Sequence, residues 1–205
     1  MKLKNTAIAI GVGVTTAAGL SLLQVNKGVV AGSTAVVVGA GLMISLRKKE
    51  YLNKKVSNYE YFFNRAQDKF EIANYEEAIL DYNKALELSP TEICLVYSMR
   101  GNAKRNLGDF NGAISDQNKA LDFDPLYADG YFNRGSAKYK MGDFSGAIED
   151  YTQVIKINPR DSDAFFNRAN IKKEIGDMRG ACEDWKKGAE LGDEEAVKLV
   201  HEYCE

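Results

Sequence analysis

The chain has few of the residue types from which catalytic and metal sites are built. Its 205 residues include one histidine, His201, one tryptophan and three prolines. A single imidazole leaves a histidine-based catalytic centre or metal site without the partner residues that such chemistry requires. The sequence also contains no nucleophile–base pair and no glycine-rich phosphate loop. We therefore predict no catalytic residue, no metal site and no cofactor.

Cysteine is scarce as well. Cys94, Cys182 and Cys204 are odd in number and widely spaced, with no C-x-x-C pair. This pattern favours neither a disulfide framework nor a zinc site, and it is more typical of a reducing compartment.

An excess of positive charge is also missing from most of the chain. The net charge is −2, but six of the 27 basic and one of the 29 acidic residues lie in residues 1–50, which leaves residues 51–205 at −7. An acidic body argues against nucleic acid as a partner, because a phosphate backbone requires a basic surface.

Residues 1–50 differ from the rest in being almost free of charge. Residues 6–23 and 28–46 contain no charged side chain, and each is close to the ~20 residues that a membrane-spanning helix needs. A four-residue turn separates them, and their glycines and alanines favour close helix packing. We predict an N-terminal hydrophobic helical hairpin that contacts membrane lipid. A cleaved signal peptide over residues 1–23 and a soluble helical hairpin are the alternatives.

Basic residues flank the predicted hairpin. Lys2 and Lys4 precede it, Lys27 lies in its turn, and residues 47–49 follow it, so both ends are more basic than the turn. This distribution predicts a two-span membrane protein with the remainder of the chain in the cytoplasm. Residues 51–58 continue the basic run as a linker that can rest on anionic lipid.

From Tyr59 onward the sequence repeats every 34 residues. Position 8 of each unit is small, and position 20 is always alanine (Ala78, Ala113, Ala147 and Ala181). The segments LGDF (107–110), MGDF (141–144) and IGDM (175–178) combine a glycine that ends one helix with an aspartate that caps the next. Small residues at fixed positions mark where two packed helices approach closely. The pattern predicts pairs of antiparallel helices.

These positions closely resemble the tetratricopeptide repeat family and, together with the hairpin, its membrane-anchored bacterial members. The resemblance implies an all-α, right-handed superhelix of four helix pairs, with the first helix of each pair lining a concave groove. The units would be residues 59–93, 94–127, 128–161 and 162–192, followed by a capping helix in residues 193–205. Two departures stand out, since Ala73 replaces the turn glycine in the first unit, and Gly188 and Asp193 replace alanine and proline in the fourth.

An arginine recurs at position 7 of each unit, followed 16 residues later by an aspartate. The pairs are Arg65 and Asp81, Arg100 and Asp116, Arg134 and Asp150, and Arg168 and Asp184. Bidentate pairing between the two helices of a unit would fix their register, so we interpret these residues as scaffold.

A second set of first-helix positions lies outside the packing pattern. An amide side chain can hydrogen-bond the backbone of an extended peptide whatever its sequence, and aspartates beside it favour basic partners. We predict a partner-binding groove formed by Asn64, Asn102, Asn133, Asn167, Asn170, Asp129, Asp163, Phe63, Phe132 and Phe166. The alternative is that these side chains are solvated or packed between units.

The sequence therefore predicts a non-enzymatic scaffold that binds a protein or extended peptide beside a membrane, in the assembly of a membrane complex. The alternative is a structural protein that self-associates through its glycine-rich hairpin and uses the repeats as spacers. Repeat proteins that hold the acidic tails of chaperones need lysine and arginine at positions 2, 5 and 6. Here those positions are mostly acidic, aromatic or amide, which disfavours a chaperone tail as partner.

Overall fold

The computed structural model describes residues 34–88 and 93–205 of the chain. These residues form α-helices joined by short turns. The helices are α1 (Thr34–Glu71), α2 (Tyr75–Glu87), α3 (Ile93–Asn106), α4 (Phe110–Phe123), α5 (Ala128–Lys140), α6 (Phe144–Ile157), α7 (Ser162–Glu174), α8 (Met178–Glu190) and α9 (Glu194–Tyr203). The prediction of an all-α protein is confirmed for the described residues.

The predicted N-terminal hairpin lies largely outside the described residues. Its first span, residues 6–23, and the start of its second precede α1. Among the helices of the two described ranges, none has both the length and the apolar composition that crossing a membrane requires. Residues 48–205 form one compact unit, and the described residues before them, 34–47, belong to another. The segment 51–58, predicted as a linker, is helical and lies within α1.

The small side chains predicted at the helix contacts are buried there. The alanines at position 20 are at most 1% exposed. A Cβ atom on Gly135 of α5 would lie 3.4 Å from the backbone oxygen of Ala147 on α6, and one on Gly101 of α3 would lie 3.3 Å from that of Ala113 on α4. The two helices of the second and third pairs therefore touch almost backbone to backbone, as the pattern predicts.

The turns within the pairs follow the predicted chemistry. Gly108, Gly142 and Gly176 have φ values of 82–86°, where a side chain would be strained. The carboxylates of Asp109, Asp143 and Asp177 then accept a hydrogen bond from the third backbone N–H of the following helix, each at 2.9 Å. The first turn differs, because Ala73 adopts a φ of 59° and Asn74 makes no side-chain capping bond.

The last helix, α9, begins with a turn of the same kind. Gly192 has a φ of 98°, and Asp193 accepts hydrogen bonds from the backbone N–H groups of Glu195 and Ala196. Ala196 is fully buried in a cluster with Trp185. The helix covers the apolar end of the fourth pair, which is the role predicted for a capping helix.

The prediction that the cysteines form no disulfide is wrong for two of the three. Cys182 on α8 and Cys204, just after α9, are bonded, with Cα atoms 5.6 Å apart, while Cys94 is free. The two positions are 22 residues apart in sequence, but α9 folds back along α8 and brings them together. Sequence spacing alone does not reveal this approach.

Candidate binding surface

Each first helix holds its repeated arginine in one recurring environment. In the third pair, Arg134 on α5 donates from Nε and Nη2 to the two carboxylate oxygens of Asp150 on α6, at 3.0 and 2.6 Å. Its Nη1 donates to Asn118 Oδ1 on the preceding α4 at 2.7 Å, and its guanidinium lies 5.3 Å from the ring centre of Tyr131. One arginine thus joins three helices of two successive pairs.

The other pairs repeat this arrangement, which we call the arginine junction. Arg100 bridges Asp116 and Asn83, and Arg168 bridges Asp184 and Thr152. Arg65 pairs with Asp81 but has no preceding pair, and its Nη1 donates to Tyr61 instead. The interpretation of these residues as scaffold is confirmed.

A lysine completes every junction, and the sequence analysis missed it. Lys138 Nζ lies 2.8 Å from Asp150 Oδ2, and the equivalent residues are Lys69, Lys104 and Lys172. Each lysine follows its arginine by one helical turn, so the two cations face the same carboxylate. The interval of four residues after each arginine was the available signal.

The first junction shifts the acidity of its carboxylate, Asp81. The hydrogen bonds from Arg65, helped by Lys69, outweigh the effect of burial and lower the pKa of Asp81 from 3.8 to about 2. The same bonds raise the pKa of Arg65. The ion pair is therefore present across the physiological pH range.

The first helices of successive pairs also contact one another through polar side chains. Asn133 Nδ2 on α5 lies 3.4 Å from Ser98 Oγ on α3, and Arg105 Nη1 donates to Ser136 Oγ at 2.8 Å. The Tyr139 hydroxyl donates to Glu174 Oε2 on α7 at 2.8 Å. Helices α3, α5 and α7 thus lie side by side and form what we call the first-helix face.

The predicted asparagines differ in their exposure and in the hydrogen bonds that their side chains make. Asn64, at the matching position of α1, is exposed. Asn133 makes only the long contact with Ser98, and Asn167 donates to the backbone oxygen of Asp163 on its own helix at 2.7 Å. Asn102 is half-buried, and its Oδ1 atom is buried without a partner among the described residues. Asn170 accepts a hydrogen bond from Trp185 Nε1 at 3.1 Å and so helps to fix the packing of α8.

The predicted aspartates and phenylalanines differ in exposure, because the aspartates are exposed and the phenylalanines are buried or partly buried. Asp129 and Asp163 are exposed at the start of α5 and α7. Phe63 is 8% exposed and packs on Tyr59 and Tyr82.

Phe132 packs against Tyr151 at 5.3 Å between ring centres, and Phe166 contacts the cluster around Trp185. All three rings contribute mainly to the core. Only parts of the rings of Phe132 and Phe166 remain accessible.

A small pocket opens between α5 and α7. Its volume is about 80 Å³, and it is lined by Tyr139, Tyr151, Asn167, Asn170 and Ile171. Burial raises the pKa of Tyr151 to about 12, so its hydroxyl stays protonated and can donate a hydrogen bond. Two of the predicted asparagines therefore share one concave feature with two tyrosines that the sequence analysis did not select.

Comparison with known families agrees with this geometry. Families described as Tetratricopeptide repeat match residues 59–92 and 128–161, and one described as TPR repeat matches residues 101–142. The chain carries tetratricopeptide repeats. No curated protein matches its sequence.

Several solved structures are similar to this chain. A crystal structure of MamA is 25% identical, with a TM-score of 0.63 over 73% of this chain and 86% of MamA. A tetratricopeptide repeat protein from Parabacteroides merdae is 20% identical, with a TM-score of 0.64 over 71% of this chain and 58% of that protein.

The first TPR domain of Spaghetti (RPAP3), solved with the HSP90 peptide SRMEEVD, is 24% identical, with a TM-score of 0.56 over 58% of this chain and 94% of that domain. At this identity the likeness shows the fold, which this chain therefore shares with peptide-binding TPR domains.

No group of three histidine, cysteine, aspartate or glutamate side chains in the described part of the chain is arranged to hold a metal ion.

Proposed function

We propose that the chain is a non-enzymatic scaffold whose first-helix face binds an extended segment of a partner protein. The observation that carries this proposal is that some polar residues pair with one another to hold the helices, whereas others are exposed and unpaired within the described residues. The arginine junctions hold the helices together, whereas Asp129 and Asp163 on the first-helix face are exposed and form no ion pair within the described residues. Polar side chains without a structural task are available to a partner.

An extended peptide is the occupant that this chemistry suits. Asparagine both donates and accepts, so Asn133 and Asn167 can bond a peptide backbone irrespective of its sequence. Asp129 and Asp163 favour lysine or arginine beside that backbone. The fold also supports a peptide, because the TPR domain of Spaghetti holds one. A chaperone tail remains disfavoured, since its carboxylates would meet these two aspartates.

The test replaces both Asn133 and Asn167 with alanine in the full chain. The partner is first isolated by affinity purification from detergent-solubilised membranes, and its binding is then measured with both forms. Each lost hydrogen bond contributes about 0.5–1.5 kcal/mol, so binding should weaken roughly 5- to 150-fold. Helical content, measured by circular dichroism, should stay unchanged.

The matched control is Asn111→Ala, which removes an exposed amide from a second helix, α4, and should leave binding intact. Equal binding by the double variant and the parent would refute the first-helix face as the interface. The second helices or the glycine-rich hairpin would then be the candidate surfaces, and self-association through the hairpin would become the leading function. Gly39→Leu tests that alternative, because a large side chain should disrupt close packing between hairpins.

We further propose that residues 6–46 anchor the scaffold in a membrane and that the repeats face the cytoplasm. The uncharged stretches and their basic flanks support this topology. The Cys182–Cys204 disulfide favours the opposite side, because disulfides persist in oxidising compartments. Protease added to intact cells should spare residues 51–205, and their digestion would reverse the proposed orientation.

A further inference from the structure

Arg105 on α3 is a half-buried arginine that takes no part in the arginine junctions. It lies five residues after the junction residue Arg100. A guanidinium group has five N–H donors, yet within the described ranges Arg105 makes one hydrogen bond, from Nη1 to Ser136 Oγ. Its Nε is buried without an acceptor, and it forms no ion pair with any described residue. Each junction arginine, by contrast, has a buried aspartate of its own.

The equivalent residues of the other first helices are satisfied inside the chain. Phe70 packs on Tyr75 with 5.2 Å between ring centres, and the Tyr139 hydroxyl donates to Glu174. Lys173 places its Nζ 3.8 Å from the ring centre of Tyr203. A repeating structural role therefore does not explain a cation at this position of α3.

The surroundings of Arg105 are polar and include a second unpartnered group. Asn102 lies three residues earlier on the same helix, with its Oδ1 buried and unpaired among the described residues. The Ser136 hydroxyl, which accepts from Arg105, lies on the neighbouring first helix. A partly desolvated cation without a counter-ion is unfavourable, and a carboxylate that bonds the Nη groups of Arg105 offsets this cost.

We propose that Arg105, supported by Ser136, is a subsite for a carboxylate of the peptide that occupies the first-helix face. Asp129 lies at the start of its first helix and Arg105 near the end of its own. The occupant therefore carries a basic residue at one edge of the face and an acidic group at the other. Arg105 stands at position 12 of its unit, away from positions 2, 5 and 6 that hold chaperone tails. The inference rests on the proposed binding function and adds the charge pattern of the ligand.

The test uses arrays of synthetic peptides with randomised sequences, probed with the full chain. One array has amidated carboxyl ends and the other has free ones, so that a side-chain carboxylate is distinguished from a terminal one. We expect binders to share an aspartate or glutamate at one position, or a free terminus, together with a lysine or arginine elsewhere. A charge-assisted bond of about 1.5–3 kcal/mol predicts that Arg105→Gln weakens these binders roughly 10- to 150-fold.

Arg160→Gln is the matched control, because it removes the same charge from an exposed loop and should leave binding unchanged. Replacing the peptide glutamate by glutamine gives a test that does not depend on the folding of a protein variant. It should weaken binding to the parent chain and have little further effect on Arg105→Gln.

Two results separate failure of the subsite from failure of the proposed function. The subsite would be overturned if the binders lacked an acidic group, or if Arg105→Gln bound them as tightly as the parent does. Either result leaves the dependence of peptide binding on Asn133 and Asn167 intact. An array without any binder to the parent chain would overturn both.

Discussion

The arginine junctions and the first-helix face are built on the same helices but differ in how they repeat. At the junctions, one aspartate, one arginine and one lysine recur in all four helix pairs with nearly the same distances. Position 12 of the first helices, by contrast, is phenylalanine, arginine, tyrosine and lysine in successive pairs, and the last three lie on the first-helix face. A feature that is copied in every pair serves stacking, which is the same task throughout. A feature that changes from pair to pair can recognise a ligand.

Removing a junction aspartate should have the largest effect on stability. Asp150→Ala leaves Arg134 and Lys138 without their counter-ion, and breaking a buried pair on one side costs about 3–5 kcal/mol. Chemical denaturation of the full chain, followed by circular dichroism, measures the loss. Asp129→Ala on the first-helix face should leave the midpoint unchanged. Equal effects of the two substitutions would abolish the distinction between the two regions.

Enlarging a contact alanine should have the next largest effect. Ala147 is fully buried against α5, so Ala147→Leu should destabilise the chain by about 1–3 kcal/mol through overpacking. Thermal unfolding measures the change. Ser145→Leu adds a similar side chain at an exposed position of the same helix and should leave the melting temperature almost unchanged.

Strong acid should weaken the first junction, formed by Arg65, Lys69 and Asp81. The pKa of Asp81 is lowered to about 2 from 3.8, so its contribution to stability is present above pH 3.8 and is lost as the pH falls through about 2. With allowance for solvent screening, we expect a loss of about 1 kcal/mol from this residue. Unfolding measured from pH 5 down to pH 2 checks this. Asp81→Asn should be less stable than the parent at pH 5 and should show a weaker dependence on pH across this range.

Correcting the irregular turn of the first pair should have the smallest effect and the opposite sign. Ala73 has a φ of 59°, a region where alanine is strained and glycine is not. Ala73→Gly should therefore stabilise the first pair by up to about 1 kcal/mol, which thermal unfolding can detect. Gly142→Ala, the reverse change in the third pair, should destabilise by a similar amount. A loss of stability in Ala73→Gly would show that chain entropy outweighs the strain.

The sequence predicted the helix pairs because their packing is copied at a fixed interval. Ala147, Gly135 and the Gly-Asp turns are each confirmed, since a close approach of backbones tolerates few residue types. The arginine–aspartate pairs were found by the same periodicity. Lys138 and its equivalents have the same periodicity and were missed because only one partner was sought for each aspartate.

The first-helix face was predicted less completely, because position in a repeat does not determine exposure. Phe63 is buried because Tyr59 and Tyr82 surround it. Asn170 is held by the indole of Trp185, a residue that only the fourth pair has at its position. Arg105 gave no signal in the sequence, since its distinguishing property is that no acidic partner lies beside it in the described part of the chain.

The bond between Cys182 and Cys204 also preserves evidence of the redox conditions under which the chain folded. A chain that carries the bond is lighter by two hydrogen atoms than one with both thiols free. The free thiols are blocked in acid before the protein is isolated from cells, and the intact mass of the protein is then measured. This mass reports the redox environment in which α9 docked. That mass assigns the repeats to an oxidising or a reducing side of a membrane without reference to any partner, lipid or binding assay.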